Sequence, residues 1–245
     1  MGPTPNGAHV TLLGDFELAV HGERIKLPRG AERLIAFLAL HDNVRVPRIR
    51  VAEELWPDNS LRRALANVRS ALCQGHRCGD TTIIERDGAR LGLEPSVSVD
   101  LREILDCSQR INDEGWCGPN NSERERLIAM LGSELLPSWT DDWLALERQR
   151  WDQVRLHTLE TFARELLASE HFLGAMHAAL SAIAIASMRE TAHRVLIEIY
   201  LAEGNPADAV AHYRRYRASL QRELGLSPSP RITRLVSGLF PSRRP

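Results

Sequence analysis

The residues best equipped for chemistry in this chain stand between Leu61 and Gln74, in the run LRRALANVRSALCQ. Leu61, Leu65, Val68 and Leu72 recur at i, i+4, i+7 and i+11, a spacing that lines one face of an α-helix with apolar side chains. Arg63, Ala66, Asn67, Ser70 and Gln74 then face the other way, with Arg62 and Arg69 together on one flank. One face to dock on its own domain and one face of arginine and amide side chains is what reading a DNA major groove requires. A guanidinium binds guanine in bidentate fashion or pairs with phosphate, and the amides of Asn67 and Gln74 match the donor and acceptor of adenine. The expected division puts Arg62 and Arg69 on phosphate and Arg63, Asn67 and Ser70 at base edges. Arg77 extends this set. Arg86 and Arg90 join it because they flank a predicted wing turn. Arg48, with Arg29, Arg33, Arg45 and Arg50, stands near helix starts, where backbone N–H groups also favour phosphate.

Little else in the sequence suggests chemistry. GxxxxGK[ST], HExxH, GxSxG and GxGxxG are all absent, so no catalytic role and no cofactor are expected. Asp141-Asp142 and Glu53-Glu54 are sequence neighbours whose side chains diverge, and they read as capping or solvated groups. The cysteines Cys73, Cys78, Cys107 and Cys117 read as ordinary thiols. Cys73, His76 and Cys78 would be a partial metal site with no fourth ligand nearby, so no metal is expected.

Charge distribution agrees with a polyanion partner. The net charge is −1, yet residues 24–77 hold 11 basic and 5 acidic side chains, while residues 96–245 hold 18 and 20. All basic residues except Lys26 are arginine, the mark of a GC-rich coding sequence. No apolar run is long enough for a membrane span and MGPTPNGAHV does not read as a secretory signal. A cytoplasmic, nucleoid-associated location and no membrane partner are expected.

The elements that must position the Leu61–Gln74 helix can be read in order. Short alternating runs over His9–Leu27, broken at Gly14-Asp15 and His21-Gly22, predict a β-meander. Helices follow over 31–41 and from Pro47 to Trp56, and Pro57-Asp58-Asn59-Ser60 is a loop ending in capping residues. Gly75 is expected to end the third helix. Asp87-Gly88 between two extended runs predicts a hairpin over Thr81–Leu93. This order is a winged helix with an extra N-terminal sheet.

From Val97 onward only helices are indicated: Val99–Ile111, Glu123–Leu136, Trp143–Ser169, Phe172–Ser187, Thr191–Ala202, Ala207–Leu224 and Pro230–Leu239, with a loop over Asn112–Ser122. LLASEHFLGAMHA aligns with YLAEGNPADAVAH at an offset of 34 residues, matching Leu167 with Leu201 and Ala175 with Ala209. That period, with small residues at the helix crossing, is the tetratricopeptide signature. The expected fold is mainly α: a winged-helix domain with β-meander and wing hairpin over residues 1–95, then a tetratricopeptide-like all-α domain over 96–245.

With those residues in view, LIAFLALHDN, VAEELWPDNS and LANVRSALC resemble the DNA-binding domain of the Streptomyces antibiotic regulatory proteins, with its OmpR-type winged helix. LLPSWTDDWLALERQR, ARELLASEHFLGAM and the run ETAHRVLIEIYLAEGNPADAVAHYRRYRASLQRELGLSPSP resemble the bacterial transcriptional activation domain that follows it in that family. The resemblance implies an activator that binds direct repeats near the promoter −35 region as two copies side by side. It also implies recruitment of RNA polymerase holoenzyme and a role in a secondary-metabolite gene cluster. The absence of a phosphate loop implies the small type. One departure stands out. After RSAL the family continues with an aromatic and several basic residues, whereas this chain has Cys73-Gln74-Gly75-His76-Arg77. That leaves open a second reading, a helical-repeat interaction module whose winged helix has weakened or lost DNA reading.

Overall fold

The computed structural model describes residues 7–41, 44–116 and 121–239. Two compact units are present: residues 1–106 with 133–151, and residues 107–132 with 152–245.

In the first unit, β1 (Ala8–Thr11), β2 (Glu17–Val20) and β3 (Glu23–Ile25) form the meander. Its alternation buries Val10, Leu12, Leu18 and Val20 on one face. Three helices follow: α1 (Arg29–Leu40), α2 (Arg48–Leu55) and α3 (Leu61–Gly75). Leu34, Ile35, Phe37 and Leu38 of α1 are at most 2% exposed, each stabilising the unit by roughly 1.5–3 kcal/mol. The two-residue β4 (Val46–Pro47) pairs with β8 (Arg90–Leu93), which pairs with β7 (Ile84–Asp87) around Gly88, whose φ is +55°. That is the predicted wing. A small ribbon of β5 (Arg77–Cys78) and β6 (Thr81–Thr82) was not expected from sequence.

The stretch after Val97 is not purely helical. β9 (Ser98–Val99) pairs parallel with β1, and Leu135 bridges Leu13. Residues 132–143, read in part as the end of a helix, instead form an irregular strap along the first unit. Leu136 has a φ of +45°, its N–H donates to Leu12 O, and Gly14 N–H donates to Glu134 O. Arg148 ties the strap down by donating to the carbonyls of Leu135, Leu136 and Trp139. The pairings of Leu12, Leu13 and Gly14 with Leu136, Leu135 and Glu134 join residues about 120 positions apart, so no local sequence pattern announces them.

The remaining helices are α4 (Asp100–Glu114), α5 (Asn121–Leu131), α6 (Leu144–Ala168), α7 (Phe172–Ile185), α8 (Glu190–Ala202), α9 (Pro206–Leu224) and α10 (Pro230–Ser237). Within the second unit, the turn after α6 and the turn after α8 carry the same hydrogen bonds at a 34-residue offset. Glu170 N–H and His171 N–H donate to Leu167 O and Leu166 O; Gly204 N–H and Asn205 N–H donate to Leu201 O and Tyr200 O. Glu170 takes the left-handed φ of +58° where the later turn has Gly204 at +84°. Ala175 and Ala209, both 0% exposed, sit at the equivalent crossings. Buried Glu160 of α6 is held by Arg189 at 2.5 Å and by Thr191; burial alone would raise its pKa, and these donors hold it below the usual carboxylate value. Glu190 receives Ser229 N–H and hydroxyl, Ser229 caps α10, and Gly225 closes α9 with φ +67°. Among the described residues no helix is long and apolar enough to cross a membrane.

Candidate nucleic-acid interface

α3 is amphipathic as expected, and Val68 and Leu72 of the expected stripe are buried, but its first two leucines are not. Ala64, Val68, Ala71, Leu72 and Gly75 face the core, whereas Leu61 is 45% exposed and Leu65 half-buried. The close crossing of α3 with α1 and α2 favours small side chains, and the spacing of leucines alone cannot report that. Arg62, Arg63, Arg69, Ser70 and Gln74 remain exposed and Asn67 is half-buried. Ser60 precedes α3 but makes no side-chain cap; its carbonyl accepts from Ala64.

Gly75 ends the helix as expected, but without the left-handed φ of a glycine cap. It is the last buried position of α3, and a Cβ there would lie 3.1 Å from Ala31 Cβ and 3.4 Å from Ile35 Cδ1. The glycine lets α1 and α3 come into near contact. His76 follows as the helix cap, hydrogen-bonded through its ring Nδ1 to Ile84 O at 2.7 Å and through its carbonyl to Ile83 N–H at 2.8 Å. The departure from the family's pattern is therefore an ordered connection from α3 into the wing. Arg77 is exposed and donates to Asp80 O at 3.2 Å, within its own turn.

The other arginines fall into two groups. Arg86 and Arg90 are exposed on the wing, with Arg90 donating to Arg45 O at 3.0 Å. Arg50 on α2 is exposed, and Arg48 is half-buried with its N–H on Ala89 O at 2.9 Å. Arg45, Arg29 and Arg33 are already engaged by carboxylates, which runs against their reading as phosphate contacts. Glu85 and Asp87 hold Arg45 at 2.8 and 2.9 Å and raise its pKa. Arg29 and Arg33 converge on Asp141 at 3.3 and 2.5 Å, and Arg29 also lies 3.6 Å over the Trp139 ring. Asp141 is thus an ion-pair partner of α1, not the solvated or capping group its sequence position suggested.

Among the described residues no group of three or more His, Cys, Asp or Glu is placed to hold a metal. Burial pushes the pKa of the Cys78 and Cys107 thiols up, favouring the protonated form. Cys117 lies outside the described residues.

With this geometry in hand, the comparisons with known proteins are informative. Residues 126–239 match the family model described as Bacterial transcriptional activator domain. No curated protein matches the chain. Among solved structures the chain is similar to Mycobacterium tuberculosis EmbR, determined in complex with a low-affinity phosphopeptide. That likeness has a TM-score of 0.71 at 15% identity, over 94% of this chain and 64% of that one. The chain therefore spans about two thirds of that structure's length, and the likeness shows the fold: a small N-terminal β-containing region and a C-terminal helical domain. The comparisons thus show an activator-domain match over residues 126–239 and a fold shared with that structure.

Proposed function

We propose that this protein is a sequence-specific DNA-binding activator without enzymatic activity, whose α3 enters the major groove. The observation that carries the reading is the exposed face of α3. Arg62, Arg63 and Arg69 project from it with no carboxylate partner among the described residues, back to back with a row of small side chains seated on α1. Arg62 and Arg69 contact phosphates; Arg63, Asn67 and Ser70 contact base edges; Arg86 on the wing takes an adjacent phosphate. Gln74, Arg77, Arg48 and Arg90 are the remaining candidates for DNA contact. The family resemblance supplies the finer reading: an OmpR-type winged helix, a small-type regulator, two copies on direct repeats near the promoter −35 region, recruitment of RNA polymerase through the helical domain, and a secondary-metabolite target. The 34-residue offset between equivalent turns supports a tetratricopeptide-like scaffold for those protein contacts.

A gel-shift with DNA upstream of the protein's own gene tests the reading. Arg63→Ala and Asn67→Ala should each lower affinity for the bound site by about 5- to 150-fold, the cost of one base contact, and relax preference at one base position. Unchanged affinity and unchanged preference in both variants would refute the assignment of α3.

A further inference from the structure

The strap between Ser133 and Trp151 belongs to the first unit, yet nothing in the DNA-contact set uses it. Its central carboxylate, Asp141, has a side chain only 10% exposed and gathers three donors. Arg33 Nη2 reaches Oδ1 at 2.5 Å, Arg29 Nη2 reaches Oδ2 at 3.3 Å, and Trp143 Nε1 reaches Oδ1 at 3.3 Å. The two tryptophans on either side anchor it. Trp139 is 4% exposed and packs 5.8 Å from Phe16, while Trp143 meets Phe37 of α1 edge-on at 5.4 Å.

What Arg33 does with its other hydrogen matters most. The same Nη2 donates to Leu55 O at 2.6 Å, and Arg33 lies 5.6 Å over the Trp56 ring. Leu55 is the last residue of α2, and Trp56 to Ser60 is the turn that aims α3. The last carbonyls of a helix have no partner inside it, so a side chain that captures one also fixes where the following turn begins. Arg33 can hold that carbonyl only while its guanidinium keeps this orientation, and Asp141 sets the orientation.

We propose that Asp141 is a positioning residue for DNA reading, acting through Arg33 and the Leu55 carbonyl on the turn that leads into α3. The proposal rests on the DNA-binding reading above. Asp141 touches no DNA; its carboxylate holds the α2–α3 connection so that Arg63 and Asn67 meet their bases in register. A misplaced α3 loses bidentate base contacts, which are strict in geometry, before it loses phosphate contacts, which are not.

The test uses the full chain and two probes: a duplex recovered by the wild-type protein from a random pool, and a scrambled duplex of equal length. Asp141→Asn should reduce the ratio of the two affinities about tenfold while binding to the scrambled duplex holds or strengthens, since a negative charge has been removed. Asp141→Glu, which keeps the carboxylate, should recover most of the ratio. Asp141→Asn added to Arg33→Gln should cost no more than Arg33→Gln alone. A purely electrostatic role would raise both affinities together, and a purely structural one would lower both together with the melting temperature; either result overturns the proposal, as does an unchanged ratio in Asp141→Asn. Should Asp141→Asn fail to fold, the Arg33→Gln ratio decides: a tenfold loss supports the proposal and no loss overturns it. If the wild-type protein recovers no sequence from the pool, the DNA-binding reading itself fails, an outcome distinct from a variant that matches the wild type.

Discussion

Salt dependence offers a quantitative check, because the structure counts the charges available for phosphate. Arg62, Arg69 and Arg86, the arginines assigned to phosphate, are exposed in the first unit, and none has a carboxylate partner among the described residues. Arg29, Arg33 and Arg45 are excluded from the count because Asp141, Glu85 and Asp87 already neutralise them. Each phosphate neutralised by a cation releases condensed counterions, with a slope of about −0.9 in log affinity against log salt. Three contacts give a slope of about −2.7 per bound copy, so raising salt from about 50 to about 200 mM should weaken binding about 40-fold. Arg62→Ala should shallow the slope to about −1.8, a loss of about 12-fold over the same range, with sequence preference unchanged. Fluorescence anisotropy on a single-site duplex at four or five salt concentrations measures both slopes. A wild-type slope shallower than about −1.5, or one that Arg62→Ala leaves untouched, would refute the phosphate assignment. A slope of about −5.4 would mean that the three paired arginines are released on binding.

Two further predictions concern the scaffold. Gly75→Leu forces a side chain into the crossing of α1 and α3, where even a Cβ would stand 3.1 Å from Ala31 Cβ. It should destabilise the protein by about 3 kcal/mol, read as a lower urea midpoint with unchanged slope, and wild-type stability would show that the crossing is looser than described. In the second unit, His193 and His212 are 6% and 9% exposed, with Nδ1 and Nε2 2.9 Å apart, and His193 Nε2 donates to Ser187 O at 2.8 Å. His193 Nδ1 must then accept from His212 Nε2–H, and burial disfavours the charged form of both rings. Burial, with lesser contributions from His193 and Arg215, lowers the His212 pKa to about 4, so the unfolded chain binds a proton that the folded chain refuses. Stability should be full above pH ~6.5 and fall by up to roughly 3 kcal/mol as pH drops towards ~4. Urea titrations at several pH values should show this fall, and His212→Gln should flatten it; a wild-type profile that is flat over this window would contradict neutral burial.

The elements were largely readable because each rests on a local rule. The hairpin at Asp87-Gly88 needs a left-handed residue, and Gly88 supplies it with φ +55°. The meander needs alternation, and α1 needs its cluster of Leu34, Ile35, Phe37 and Leu38. The 34-residue offset was legible because two turns repeat the same hydrogen bonds, although Glu170 stands in the left-handed position that Gly204 fills in the later turn. The exposed arginine face of α3 was legible for the same reason: helical periodicity sets which side chains stand together.

What failed to show in the sequence depends on distance along the chain. Gly75 read only as a helix terminator; it does end α3, but it also makes room for Ala31, 44 positions earlier. Which arginines remain free for phosphate was equally hidden, since Asp141 meets Arg29 across 112 positions. Composition and periodicity by themselves determined a basic amphipathic helix, a wing and a helical repeat. Tertiary structure alone decided that Ala64, Ala71 and Gly75 join the buried row of that helix, which charges are neutralised, and that residues 133–151 strap the first unit. The reason is physical: periodicity acts within a few turns of backbone, whereas ion pairs and close helix crossings are set by where the fold brings remote segments together.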